Sequence, residues 1–174
     1  MSFVYKPPTE WIAPDVFPTE LLCQAKEIAI DLETRDPHLK ELGPGYIRGD
    51  GEAVGISFAI DGYENYFPFA HESGFNFSKK KVLEFTKKIC ATDSDKIFHN
   101  STYDVGWLTH HGIPVNGRII DTMIVAPLID ENQFWFSLNA LGREYINEGK
   151  SEGELSAAAE EWGLDPKADM WRLP

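Results

Sequence analysis

Hydrophobic and polar positions alternate along this chain in two distinct rhythms. Residues 26–32, 53–60, 63–69, 96–99 and 118–120 are short runs rich in β-branched and aromatic side chains, which predicts strands. Asp61-Gly62 between the second and third runs is a hairpin turn. Behind Ser78, a natural N-cap, the residues Val82, Leu83, Phe85 and Ile89 fall at helical spacing, predicting a helix to about Ile89. A further helix starts at Asn100 or Ser101, either of which can cap it, and runs to about His110, with Gly112 as its stop. Asp121 leads into an apolar helix over 122–129, and Ser137 opens another to about Tyr145. Ser151-Glu152-Gly153-Glu154 has capping-box spacing before a last helix ending near Trp162.

Residues 1–25 predict an irregular lead-in, because Pro7-Pro8, Pro14 and Pro18 interrupt any long element. Trp11, Ile12 and Phe17 are expected to pack it onto the body, which spans 26–174 as one domain. Gly43-Pro44-Gly45 through Gly49-Asp50-Gly51 predicts a loop. Three strands in hairpin order followed by helix–strand–helix–strand–helix imply a mixed α/β sheet: an antiparallel meander of three strands plus two parallel strands, flanked by helices. The ribonuclease H-like arrangement fits this order and places the first strand centrally.

That first strand ends in Asp31-Leu32-Glu33. Side chains two apart on a strand share a face, so the two carboxylates emerge side by side. Their repulsion is offset by a divalent cation of the Mg²⁺ or Mn²⁺ type, which prefers hard oxygen ligands, or is relieved by simple exposure to solvent. The strand itself leaves both open.

Composition narrows the field. A chain of 174 residues with 43% hydrophobic and 13% aromatic content is enough for one folded domain. No run is long and apolar enough to span a bilayer, and the N-terminus lacks a charged region followed by an apolar block, so a cytoplasmic location is expected. Cys23 and Cys90 are isolated and predicted to be buried or inert, and the sequence offers no CxxC pair for zinc. The net charge of −12 opposes nonspecific attachment to phosphates. Lys79-Lys80-Lys81 and Lys87-Lys88 cluster on one helix, where a solvated face is the simpler role.

A second acidic position stands in His99-Asn100-Ser101-Thr102-Tyr103-Asp104, one turn inside a helix that follows a strand. On its own Asp104 is equally a helix-start acid, favoured there by the helix dipole. Together with Asp31-Leu32-Glu33-Thr34, however, this segment resembles the first two motifs of the DEDD 3′–5′ exonuclease superfamily. Gly43-Pro44-Gly45, Gly51-Glu52-Ala53-Val54-Gly55-Ile56-Ser57, Ile120-Asp121-Thr122-Met123 and Phe136-Ser137-Leu138-Asn139-Ala140-Leu141-Gly142 narrow the similarity to the proofreading domain of phage-type family A DNA polymerases, over roughly residues 26–165.

The resemblance implies hydrolysis of the 3′-terminal phosphodiester with two Mg²⁺ or Mn²⁺ ions, one activating the attacking water and the other stabilising the departing oxygen. Carried over, Asp31 bridges both metals, Glu33 holds the one bearing the nucleophile, and Asp104 serves the other. Thr34 and Asn100 position the terminal nucleotide. The implied partners are the 3′ end of single-stranded DNA and a polymerase region C-terminal to this chain, and the location becomes the host cytoplasm if the source is a phage.

One part of the family pattern is missing. The superfamily carries a fourth carboxylate in Tyr-x-x-x-Asp or His-x-x-x-x-Asp after the second motif. Here Tyr46/Asp50 precedes Asp104, His99/Asp104 lies within the second motif, and Tyr145 has Gly149 four residues on. The expectation is a chain stopping ahead of that motif, with weakened metal binding and reduced or absent activity. Two alternatives stand beside the proofreading exonuclease: a stand-alone 3′–5′ exoribonuclease, and a catalytically silent nucleic-acid-binding module.

Phe134-Trp135-Phe136 can stack on unpaired bases or, more simply, anchor the following helix in the core. Asp121 is a cap or an outer acid of the site. His71, His110 and His111 lack zinc spacing and are expected at the surface or at helix ends.

Overall fold

Nine residues, Glu27–Arg35, form the central strand β1. The computed structural model describes residues 12–149 and 153–173. β2 (Glu52–Ile60) and β3 (Tyr63–Pro68) follow in an antiparallel meander, and β4 (Asp95–Phe98) and β5 (Ile119–Asp121) lie parallel on the other side, giving the order β3-β2-β1-β4-β5. The mixed sheet with β1 at its centre is therefore as expected, and it is the ribonuclease H-like arrangement.

Alternation on β1 decides the two faces. Ile28, Ile30 and Leu32 are buried together, and their β2 partners Phe58 and Ile56 and the β3 residue Phe67 join them. Phe85 of α4 (Lys79–Cys90) closes this core, its ring centroid 5.4 Å from Phe58 and 5.1 Å from Phe67. Each such side chain contributes roughly 1.5–3 kcal/mol on burial. The opposite face of β1 is left to Asp31 and Glu33.

Several elements depart from the sequence expectations. The lead-in contains a helix, α1 (Thr19–Gln24). Phe17 does pack inward, 4.9 Å from Phe85, but Ile12 is 83% exposed. Trp11 and Pro7-Pro8 lie outside the described residues, as do Ser151 and Glu152 of the expected capping box. The glycine-rich stretch folds into two single turns, α2 (Leu39–Leu42) and α3 (Gly45–Arg48), because local hydrogen bonds to Asp36 organise it. Ser78 occupies the N-cap of α4 without a side-chain bond. Lys79 reaches Glu52 at 3.5 Å and Lys80 reaches Glu84 at 4.0 Å, which makes the lysine cluster a solvated face.

The later helices are α5 (Ser101–His110), α6 (Thr122–Ile129), α7 (Leu138–Tyr145) and α8 (Gly153–Trp162), followed by a 3₁₀ turn at Met170–Arg172. Ser137 caps α7 through the Ala140 N–H, as its position predicts. The core-anchor role for Phe134 and Trp135 fails: they are 86% and 76% exposed, and only Phe136 turns partly inward. Among the described residues no helix is long and apolar enough to cross a membrane.

Candidate active site

β4 pairs with β1 only over Glu27–Ala29, so from Ile30 onward one edge of β1 is open. α5 fills that edge. Asp104, one turn inside α5 and 4% exposed, turns inward, and its Oδ1 accepts the Leu32 N–H at 3.1 Å. The helix-borne acid is thus fastened to the residue between the two strand-borne acids.

The Asp104 carboxyl feels both strand-borne charges. Burial, then the negative charge of Asp31, and to a lesser extent that of Glu33, push the Asp104 carboxyl up to about 7, against the pull of the Leu32 hydrogen bond. Asp31 stands exposed and Glu33 half-buried. Among the described residues no three His, Cys, Asp or Glu side chains are arranged to hold a metal ion. One Asp104 oxygen is already committed to the Leu32 N–H.

Thr34, one of the two residues expected to handle substrate, meets α5 through Tyr103, the residue before Asp104. Thr34 follows a bulge in β1, where the register shifts between Glu33 and Thr34. Its Oγ1 lies 2.8 Å from the Tyr103 hydroxyl, which in turn donates to Asp36 Oδ2 at 3.1 Å. Because a carboxylate only accepts, the Tyr103 proton points to Asp36 and the Thr34 hydroxyl donates to Tyr103. Asp36 is nearly fully buried and also accepts from the Gly45 N–H at 2.7 Å and from Arg48 at 3.1 Å. Sequence patterns missed this hub. The glycines around residues 43–51 were its only trace: a Cβ on Gly45 would collide with the Asp50 carbonyl.

Asn100 adopts a left-handed conformation, φ 70°, and its side chain does not cap α5. Asp121 does so instead, with its carboxylate accepting from the N–H groups of Asn100 at 3.1 Å and Ser101 at 2.6 Å, and from Met123 at 2.9 Å. Burial works the other way, but these bonds, led by Ser101, hold the Asp121 carboxyl below its usual range. Asp121 therefore joins the starts of α5 and α6, a capping role. This corrects the expectation that Asn100 or Ser101 is the cap.

A third group was misplaced. His71 is not a free surface residue: its Nε2 lies 2.6 Å from the Tyr66 hydroxyl and its Nδ1 lies 3.0 Å from the Leu173 carbonyl. His110 and His111 do end α5. Cys90 is buried, its thiol pushed up to about 12 by that burial, and Cys23 is half-buried.

The five-strand mixed sheet with β1 at its centre and helices on its flanks defines a fold of the ribonuclease H-like class. The family model described as 3′-5′ exonuclease matches residues 19–172, and the chain belongs to this family, the proofreading exonuclease domains of family A DNA polymerases. It is 39% identical over 171 residues to a DNA-directed DNA polymerase of Pseudomonas phage M6, covering 95% of this chain and 26% of that protein. The chain thus spans about a quarter of the length of that relative. Among solved structures it is similar in fold to Brucella melitensis NrnC with bound Mg²⁺ (TM-score 0.55, 19% identity, 78% of this chain and 61% of that one). Escherichia coli RNase D, an exoribonuclease, is also similar (TM-score 0.56, 15% identity, 88% and 38%).

Proposed function

We propose that this chain is the proofreading portion of a DNA polymerase, removing nucleotides from the 3′ end of single-stranded DNA with the help of Mg²⁺ or Mn²⁺. The observation that carries this is the fastening of Asp104 to Leu32, which holds a buried acid whose charge is unfavourable beside Asp31 and Glu33. A site that strains to ionise without a cation is chemically suited to hold one, and an all-carboxylate donor set suits hard divalent ions. Asp31, Glu33 and Asp104 would hold the metal, which when bound supplies an activated water and charge stabilisation for the leaving oxygen.

The remaining roles belong to the chain itself. Thr34, with its proton turned to Tyr103, offers oxygen lone pairs toward the terminal nucleotide. Asn100 has a side chain free of capping duty at the mouth of α5. DNA is favoured over RNA because the 39% identical relative is a DNA polymerase.

The test compares degradation of 3′-labelled DNA and RNA oligonucleotides in Mn²⁺ by the chain and by Asp31→Ala. Loss of DNA hydrolysis in the variant is expected. Faster RNA degradation points to the exoribonuclease, and equal oligonucleotide binding without hydrolysis in both proteins points to a silent binding module.

A further inference from the structure

We propose that Asp36 and Tyr103 are positioning residues that act through Thr34 to select a strand end carrying a free 3′-hydroxyl, an inference that rests on the placing of Thr34 at the terminal nucleotide above.

α5 holds β1 at two points that straddle Glu33. Asp104 Oδ1 accepts the Leu32 N–H at 3.1 Å, and the Tyr103 hydroxyl meets Thr34 Oγ1 at 2.8 Å. The second hold matters because the sheet does little to fix Thr34. The ladder to β2 shifts between Glu33 and Thr34, and the ladder to β4 ends at Ala29. A threonine side chain has several staggered wells open to it, and a hydrogen bond to a fixed partner selects one. Tyr103 is such a partner: its ring packs on Tyr46 and Trp107, with centroids 6.3 and 6.5 Å away.

The order of the hydrogens along Thr34, Tyr103 and Asp36 follows from the last member. The Asp36 side chain is 2% exposed, its Oδ2 accepts the Gly45 N–H at 2.7 Å, and its Oδ1 accepts from Arg48 at 3.1 Å. Arg48 is held in turn by Asp50 at 2.6 Å and by the Gly43 carbonyl, so the whole β1–β2 loop keeps the carboxylate in place. A carboxylate only accepts, and the Tyr103 hydroxyl therefore spends its one hydrogen on Asp36 Oδ2 at 3.1 Å. The phenol oxygen turns a lone pair to Thr34 and takes the threonine's hydrogen. Thr34, half-buried, is left with lone pairs alone for anything that approaches it.

An oxygen that can only accept needs a donor. Among the sugar and phosphate groups that all four DNA nucleotides share, phosphate, ester and ring oxygens accept, and the free 3′-hydroxyl is the one donor. An internal nucleotide has no such group, because its 3′ oxygen is esterified. Asp36 thus favours the chain end through two relayed hydroxyl groups and makes no contact with substrate itself.

The test compares two single-stranded DNA oligonucleotides that differ only in ending with a 3′-hydroxyl or a 3′-deoxy nucleotide. Their kcat/KM in Mn²⁺ is measured for the parent chain, Tyr103→Phe, Asp36→Ala and Thr34→Val, at temperatures where thermal melts show each folded. Fluorescence anisotropy of the same oligonucleotides, labelled at the 5′ end, gives the ratio for binding as well. The parent is expected to prefer the 3′-hydroxyl end by about 3- to 10-fold, the worth of one hydrogen bond. Each variant should lose most of that preference: Thr34→Val has no acceptor, Tyr103→Phe frees the Thr34 hydroxyl, and Asp36→Ala lets the Tyr103 hydrogen swing to Thr34. A merely structural role slows both oligonucleotides alike and leaves the ratio untouched. The full preference surviving in Tyr103→Phe or Asp36→Ala overturns the inference alone, as does an active parent that treats both ends equally. A parent that neither hydrolyses nor binds either oligonucleotide overturns the nuclease reading and this inference together.

Discussion

Asp104 accepts the backbone N–H of Leu32 at 3.1 Å across seventy-two residues of sequence. The bond uses a donor that a longer β4 would otherwise have taken, since the β1–β4 ladder ends at Ala29 and Ile97. Shortening one strand therefore creates both the vacancy on the sheet edge and the attachment point for the acid that fills it. A buried, half-satisfied carboxylate beside two others destabilises the fold locally, and such tension belongs at a functional site.

The pH dependence of stability follows from this pair. Asp104 is raised to about 7, above its ordinary value of 3.8, so the folded state binds its proton more tightly than the unfolded chain does. Its contribution is fully present below pH 4 and is lost as pH climbs to 7, by on the order of 4 kcal/mol at most. Asp121, shifted the opposite way, loses its contribution only below its ordinary value and does not interfere in that window. Asp104→Asn keeps an oxygen for Leu32 and removes the charge. Thermal melts without metal should show the variant more stable than the parent at pH 8, with the slope between pH 4 and 7 flattened. Its Mn²⁺ affinity should fall.

The Asp36 hub carries a second expectation. Its carboxylate satisfies Gly45, Arg48 and Tyr103 at once, so Asp36→Ala orphans three donors in a nearly dry setting. A loss of roughly 2–4 kcal/mol is expected. Arg48→Lys retains charge and loses the planar fork, and should fall between the two. Trypsin cleavage near Lys40 under native conditions reads out the loosened loop directly. Unchanged proteolysis in Asp36→Ala would show that α2 and α3 hold without the hub.

How far the sequence disclosed this site depends on the reach of each interaction. The period-two pattern of Ile28, Ile30 and Leu32 is local, so it placed Asp31 and Glu33 on one face of a central strand without any knowledge of the rest. The helical spacing behind Ser78 is local too, and α4 begins and ends within a residue of its expected bounds. Contacts between distant segments left almost no trace. Asp36 with Tyr103, Tyr66 with His71 and Leu173, and Asp121 with Ser101 each join residues whose neighbours look unremarkable. Asp121 took the capping duty from Asn100 because β5 delivers a carboxylate to the start of α5, a fact of sheet order rather than of composition. Phe134 and Trp135 failed for the converse reason: aromatic character predicts burial on average, and here no element of the described residues covers them.

Lys96 tests how a buried charge is tolerated away from the acids. It lies on β4 with no exposed surface, and its ammonium donates to the carbonyls of Thr92 at 2.8 Å, Ser94 at 2.9 Å and Asn116 at 3.1 Å, with the Thr92 hydroxyl at 3.2 Å. One side chain thus ties the turn after α4 to the loop ahead of β5. Burial lowers its pKa from the ordinary lysine value. Lys96→Met fills the same space with no donor and strands three carbonyls, which costs about 2–4 kcal/mol. For a domain of this size that corresponds to a fall in Tm of roughly 5–15 °C. Because Lys96 is remote from Asp31 and Glu33 along β1's paired edge, Mn²⁺ affinity at temperatures well below the melt should be unchanged. A variant that melts with the parent would mean that the surrounding carbonyls find water once the ammonium is gone.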